Sequence, residues 1–295
     1  LLVANASKVL PARLKGVKEG TGGQTEVLLL AARPDLGTDV WEALVNPGRR
    51  TRPGHRVTFD DGALHVEVLD YTPFHGRIVR LSAPDGEVAT ALTRIGQMPL
   101  PPYITAPLED PTHYQTVYAH EPGSAAAPTA GLHFTPELLT RLRASGVGAA
   151  FVTLHIGLDT FRPVEVERLD EHKMHSEAYS LDAQTARAIN EAHAGGGRIV
   201  AVGTTSVRVL ETAAEMATGT GQIVVPCGGR TSIFIQPGHH FGAVDALITN
   251  FHLPKSTLLV LVSAFASREL MLHAYEVAVK EGYRFYSFGD AMLIL

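Results

Sequence analysis

The stretch Ala246-Leu247-Ile248-Thr249-Asn250-Phe251-His252-Leu253-Pro254-Lys255-Ser256-Thr257 decides the fold class. Its first three residues end an apolar run short enough for a buried strand. Residues 258–265 beyond it are apolar over a length that suits a buried helix, and Pro254 suits that helix's first turn. A strand leading straight into a helix is the repeating unit of α/β folds, which place ligands at such joints. Asn250, His252, Lys255 and two hydroxyls crowd into this one. The plainer reading is an N-cap, with Ser256 or Thr257 satisfying helix N–H groups and His252 packed in the core.

Outward from this joint, the same alternation fills residues 98–295. Thr135-Pro136-Glu137 opens a helix that Gly146 closes, and 149–154 follows as a strand. Residues 178–181 read as a strand. Asp182 caps a helix to about 194, ended by Gly195-Gly196-Gly197. Then come a strand at 199–202, a helix at 205–217, a strand at 245–248, helices at 255–266 and 270–281, and a last strand near 284–288. Such a series implies a largely parallel sheet with helices on its faces.

Residues 17–97 have another texture. Short alternating runs at 26–30, 41–45, 56–59, 64–69 and 77–81 read as strands, with Asp61-Gly62 as a hairpin turn. No helical period is expected there, and a small antiparallel barrel or sandwich is. Pro99-Leu100-Pro101-Pro102-Tyr103 is a stiff connector. Two modules follow: residues 1–16 with 98–295, and 17–97 between them.

Of the 295 residues, 45% are hydrophobic and 19% charged, an ordinary globular composition. No apolar run reaches the roughly 18 residues that span a bilayer, and no secretory signal is expected, so a cytoplasmic location follows. A single cysteine, Cys227, excludes a disulfide framework. The net charge of −5 does not advertise a nucleic-acid binder. Arg49, Arg50, Arg52 and Arg56 nevertheless crowd together beside His55. The plain reading is a solvated loop and the sharper one a contact to a phosphate backbone.

Other joints carry chemistry too. Gly203-Thr204-Thr205-Ser206, before a helix through Arg208, offers N–H groups and three hydroxyls to an anion. Simple capping explains it without a ligand, and it lacks the lysine of a phosphate loop. His155 ends a strand, with Thr160-Phe161-Arg162-Pro163 close behind. His172-Lys173-Met174-His175-Ser176-Glu177 would bring two imidazoles onto a metal only if helical, and the local sequence is poorly helical. Histidine beside carboxylate suits acid–base work better. Thr129-Ala130-Gly131-Leu132-His133 would let backbone approach a planar ligand, or is a tight turn needing Gly131. Tyr114 and Tyr118 upstream could stack on a ligand, though core packing suits at least one of them.

Together these segments resemble the S-adenosylmethionine:tRNA ribosyltransferase-isomerases of queuosine biosynthesis. The resemblance rests on PLPPYI (99–104), YQTVYA (114–119), APTAGLHFT (127–135), TLHIGLDTFRPV (153–164), HKMHSE (172–177), AVGTTSVRVLE (201–211), ITNFHLPKSTLL (248–259) and YRFYSFGDAML (283–293), with VLPAR (9–13) as a shorter match. It implies an α/β fold with a mixed, largely parallel sheet and an inserted small antiparallel β-barrel. It also implies transfer of the ribosyl group of S-adenosylmethionine to 7-aminomethyl-7-deazaguanine at the tRNA wobble position, giving epoxyqueuosine and releasing adenine and methionine. S-adenosylmethionine is then a co-substrate, no metal or redox cofactor is expected, and the chain is read as a monomer whose partner is tRNA.

That chemistry needs a base for the carbon beside the sulfonium, an acid for departing adenine, and polar groups for the carboxylate and ribose. Matched to those tasks, His133, His155, His175 and His252 are acid–base or adenine-contacting candidates, with Glu177 orienting a histidine. Thr204, Thr205, Ser206 and Arg208 would hold the carboxylate or a tRNA phosphate. Thr129, Arg162, Asn250 and Lys255 would bind polar groups of the substrate, and Arg49, Arg50, Arg52 and Arg56 the tRNA. The chain departs from the family at Ala6-Ser7, where Asp-Thr is usual, and at Asp159, where Gly is usual. Two rivals remain on the sequence: a tRNA-binding protein without catalysis, separated by adenine release, and a histidine-metal hydrolase, separated by metal analysis.

Overall fold

The structure, a computed structural model, describes residues 1–72, 76–106, 108–157, 164, 166–172 and 174–295. The chain forms two compact units, one of residues 1–7, 112–121 and 127–295, the other of 8–111 and 122–126.

Strand β1 (Leu2–Asn5) is buried throughout, and β2 (Ser7–Val9) follows it. In the second unit, β3 (Arg13–Lys18), β4 (Gln24–Ala32), β5 (Val40–Asn46), β6 (Arg56–Phe59), β7 (Leu64–Tyr71) and β8 (Arg77–Ser82) close into a barrel in the order β3-β4-β5-β8-β7-β6. Every pairing is antiparallel. Alternation drives most of it: Leu14, Ala43, Val57, Phe59, Leu64, Val66 and Val68 are buried between less buried strand neighbours, while Val27 and Val79 sit in wholly buried runs with Leu28 and Ile78. Gly16 is needed for space, since a Cβ there would lie 2.5 Å from the Phe59 ring. The β6–β7 hairpin turns at Asp60–Gly62, where all three residues have positive φ, as the Asp61-Gly62 pair predicts.

The texture of 17–97 hides one helix. α1 (Val88–Ile95) buries Val88, Ala91 and Leu92. Apolar residues at 88, 91, 92 and 95 do follow a helical spacing, but two turns are too short to stand out among strands.

Strand β9 (Glu121–Ser124) pairs with β2, and the first unit continues through α2 (Pro136–Ala144), β10 (Ala149–Leu154), β11 (Glu177–Leu181), α3 (Ala183–Ala194), β12 (Val200–Val202), α4 (Thr204–Ala217), β13 (Cys227–Thr231), β14 (Ala246–Asn250), α5 (Thr257–Phe265), α6 (Arg268–Lys280) and β15 (Ala291–Ile294). Seven strands form a mixed sheet in the order β13-β11-β10-β1-β12-β14-β15. β10, β1, β12 and β14 run parallel at its centre, and β11, β13 and β15 run antiparallel at its edges. One face of the parallel core is covered by the turn at Thr129–His133 and by α2, through Ala130, Phe134, Leu138 and Leu142. Helix α4 is buried along its first eight residues. Thr135, Asp182 and Ser256 cap α2, α3 and α5 with side-chain acceptors.

The last strand lies beyond the expected 284–288. That aromatic run looks like β alternation, yet its rings gather on Phe251, with Phe285 at 4.8 Å and Tyr283 at 5.9 Å between centroids. Asp290 closes 284–290 as a turn by accepting from the Arg284 N–H at 2.7 Å, and Tyr286 takes φ +72°. No single helix among the described residues is long and apolar enough to cross a membrane.

Candidate functional site

The sheet order places β1 between β10 and β12, so the chain's connections run outward from β1 in both directions. Ligands of open α/β sheets bind beyond the carboxyl ends of strands at such a reversal. Here those ends are Asn5, Leu154, Val202 and Asn250, followed by Ala6-Ser7, His155, Gly203-Thr204-Thr205-Ser206 and Phe251-His252. Parallel pairing thus carries the predicted joints to one edge of the sheet. Asn5 braces this edge: its side chain donates to Leu154 O at 2.9 Å and accepts from the N–H groups of Leu154 and Ser7, both at 3.1 Å.

One group of side chains assembles where β14 ends. Buried Asn250 accepts from the Thr129 hydroxyl at 2.9 Å, and its amide lies 3.2 Å from His133 Nε2. The His133 pKa is lowered first by burial, with the Asp290 charge opposing and the Arg284 charge assisting. His252 Nε2 lies 2.9 Å from the Thr249 hydroxyl, and the His252 N–H donates to the Tyr275 hydroxyl at 2.8 Å. Burial lowers the His252 pKa to about 4, so the ring is a neutral imidazole at physiological pH.

A second group lies where β11 begins. Glu177 is buried, accepts the Gly157 N–H at 2.7 Å, has His175 Nε2 3.2 Å away and is ion-paired with Arg208 of α4. Burial alone would raise the Glu177 pKa. The Arg208 charge, His175 and the Gly157 N–H overcome it and bring the carboxyl down to about 2. Arg208 is itself buried, and its Nη2 also reaches Thr231 O at 3.5 Å. Its guanidinium therefore faces Glu177 inside the fold, a different arrangement from one offered to an incoming carboxylate or phosphate. Ser206 is likewise committed, donating to Val202 O at 2.8 Å as helix hydroxyls do. Thr204 is buried beside them.

The buried polar atoms without a hydrogen-bond partner among the described residues include the Thr205 hydroxyl at the start of α4 and His155 Nδ1. Burial lowers the His155 pKa, with Glu121 opposing. The α4 start also holds Gly203 at φ +86°, a conformation glycine adopts freely. Lys255 is exposed, at φ +56°, and its backbone carbonyl accepts from Val164 at 2.7 Å. Ser256 is the helix cap of the plainer reading, accepting from Leu259 at 3.2 Å. Arg162, Asp159 and Thr160 lie outside the described residues. Among the described residues no group of three His, Cys, Asp or Glu side chains could hold a metal ion.

Gly131 serves the tight-turn reading, since a Cβ there would lie 2.1 Å from the Tyr118 hydroxyl. Tyr118 packs on Phe151 with centroids 5.2 Å apart, and Tyr114 is fully buried. The arginines of the second unit, Arg49, Arg50, Arg52 and Arg56, are all exposed. Sequence reasoning missed Asn5, Gly157, Thr249 and Tyr275. Thr249 and Gly157 lay inside segments already under suspicion, and Asn5 and Tyr275 become visible only once the chain is folded.

A sequence profile of the family described as queuosine biosynthesis protein matches residues 1–294. The S-adenosylmethionine:tRNA ribosyltransferase-isomerase of Symbiobacterium thermophilum is 58% identical over 294 residues, covering 100% of this chain and 84% of that protein. The protein of the same name from Moorella thermoacetica is 57% identical over 295 residues, with the same coverage. A crystal structure of an S-adenosylmethionine tRNA ribosyltransferase from Thermotoga maritima, 36% identical, covers 100% of this chain and 81% of its own, with a TM-score of 0.49. Matched along its length by the profile and sharing more than half its residues with these relatives, the chain belongs to the queuosine biosynthesis family, as an enzyme of the S-adenosylmethionine:tRNA ribosyltransferase-isomerase class.

Proposed function

We propose that the chain moves the ribosyl moiety of S-adenosylmethionine onto 7-aminomethyl-7-deazaguanine at the wobble position of tRNA, giving epoxyqueuosine with release of adenine and methionine. The observation that carries this is the placement of two polar groups, Thr129–His133–Asn250 and His175–Glu177–Arg208, along the edge of one mixed sheet where its parallel strands end.

The residues divide the work by charge state. The ionised Glu177, 3.2 Å from His175 Nε2, favours the tautomer protonated at that nitrogen and leaves Nδ1 as the basic atom, suited to take the proton from the carbon beside the sulfonium. Arg208 keeps Glu177 charged and acts through it. His133 and His252, neutral at physiological pH, offer hydrogen bonds to adenine and its departing nitrogen, with His155 as a further contact. Thr204 and Thr205 at the α4 start, where N–H groups are unfilled, hold the methionine carboxylate, with Ser206 shaping that turn. Thr129, Arg162, Asn250 and Lys255 hold ribose and base polar groups, and Arg49, Arg50, Arg52 and Arg56 engage tRNA. S-adenosylmethionine is a co-substrate, turnover needs no metal or redox cofactor, and the enzyme works as a cytoplasmic monomer.

Adenine release from S-adenosylmethionine, measured with tRNA carrying the modified base, tests this. His175→Ala and His252→Ala should each depress it strongly. Wild-type turnover in both variants refutes the assignment.

A further inference from the structure

We propose that the loop at residues 47–52 of the barrel is a preformed surface for the phosphate backbone of tRNA, and that buried Arg77 is the residue that forms it. The inference rests on tRNA being the substrate, and it lies entirely within the second unit.

Loop carbonyls repel phosphate, and here they are turned inward. Arg77, on β8 and only 6% exposed, donates from Nη2 to Gly48 O at 2.6 Å and from Nε to Thr51 O at 3.2 Å. Its Nη1 donates to Gly76 O at 2.9 Å, and its guanidinium lies 4.4 Å from the Tyr71 ring centre. Lys18 Nζ donates to Arg50 O at 2.9 Å, and the buried Thr51 hydroxyl donates to Pro47 O at 3.1 Å. The carbonyls of 47, 48, 50 and 51 therefore each face a donor, three of them a cation. Between these anchors, the turn at Gly48–Arg50 and the residue at 52 leave Arg49, Arg50 and Arg52 exposed.

Those three charges lack a counter-charge among the described residues, and Arg52 Nε donates to Arg49 O at 3.4 Å. Among the described residues no carboxylate stands within ion-pair distance of them. Arg56 differs, because it faces Glu67 across the β6–β7 ladder. His55 adds a donor: its Nδ1 accepts the Arg52 N–H at 2.9 Å, which leaves Nε2 to carry the ring proton. An uncompensated cationic turn on a chain of net charge −5 fits a polyanion whose phosphates repeat along a line. Because the backbone is already fixed, binding orders only the side chains.

The test is titration of labelled tRNA carrying the modified base with the full chain across a range of salt concentrations. Replacing Arg49, Arg50 and Arg52 together by Gln should lower affinity by about tenfold or more and flatten the salt slope by ~1 per arginine. Arg77→Met should weaken binding with the three arginines still present and keep the slope within about one of wild type. A thermal melt shows whether that variant is folded, and the surface triple keeps the test decisive if it is not. A triple variant with wild-type affinity and slope overturns the surface, and a folded Arg77→Met variant that binds normally overturns the role of Arg77. A wild-type chain that turns over tRNA beside such a triple variant leaves the proposed reaction intact. A wild type that neither binds nor consumes tRNA sinks both.

Discussion

Arg208→Met isolates the ion pair buried beneath the sheet edge. Glu177 falls from 4.5 to about 2 in the fold, a difference of roughly 3 kcal/mol between its charged and neutral forms. Methionine keeps the bulk of arginine and removes its charge, which leaves a buried carboxylate with His175 and the Gly157 N–H alone. Breaking one side of a buried pair typically costs about 3–5 kcal/mol. At about 2–4 °C per kcal/mol, the midpoint should fall by roughly 6–20 °C. The dependence on pH should also change sign. In the wild type, the contribution of Glu177 is complete above pH 4.5 and is lost as pH falls toward 2. In the variant, burial, the largest single influence on Glu177, is opposed by His175 and the Gly157 N–H but no longer by Arg208, and should lift the carboxyl above its unfolded value. Stability should then decline as pH rises from 4.5 through the raised pKa. Thermal unfolding near about pH 5 and again near about pH 8, followed by circular dichroism, reads both effects. A variant that melts within about 2 °C of wild type at both values, with no decline between them, refutes the reasoning. Adding Glu177→Met to Arg208→Met should restore much of the stability, because a packed apolar pair replaces a desolvated ionic one. Adenine release should stay depressed in that double variant, since His175 has lost its partner.

Three further outcomes are expected. His252 is neutral in the fold down to about pH 4, whereas the unfolded chain takes up that proton near 6.5. The wild type should lose stability as pH falls between those values, and His252→Asn should flatten that part of the curve in melts. Tyr118→Phe should be neutral or stabilising in denaturant titration, because the buried hydroxyl has no partner among the described residues. The same change should relieve part of the roughly 1–3 kcal/mol lost in Gly131→Ala, whose new methyl meets that oxygen. Thr205→Val should leave the melting midpoint nearly unchanged and weaken S-adenosylmethionine binding by calorimetry, and unchanged affinity removes Thr205 from the site.

The fold class was legible because the strands of the parallel core are apolar runs with capped helices between them. The β15 position was not, because the Tyr-Arg-Phe-Tyr-Ser-Phe run alternates like a strand while its rings pack on Phe251. At the site, motif residues such as Asn250, His175 and Glu177 could be named from the chain alone. Whether Arg208 meets a ligand or a carboxylate could not, since that depends on β11 lying against α4, which local sequence does not encode. Asn5 escaped for a similar reason: its partner Leu154 is far along the chain, and only strand pairing makes them neighbours.

The central strand of the seven is the one nearest the N-terminus, and its neighbours are residues 149–152 and 200–202. On the ribosome, the barrel at Arg13–Ser82 can close from contacts already synthesised, while Leu2–Asn5 waits for both flanking strands. At about 5–20 residues per second that wait lasts roughly 6–24 s after the barrel is complete. Throughout it the segment Leu2-Val3-Ala4-Asn5 lacks at least one of its two partner strands. A nascent chain stalled before Val200 should accordingly show a protease-resistant barrel and a digestible N-terminal arm, and a chaperone that binds short apolar strands should find its target there.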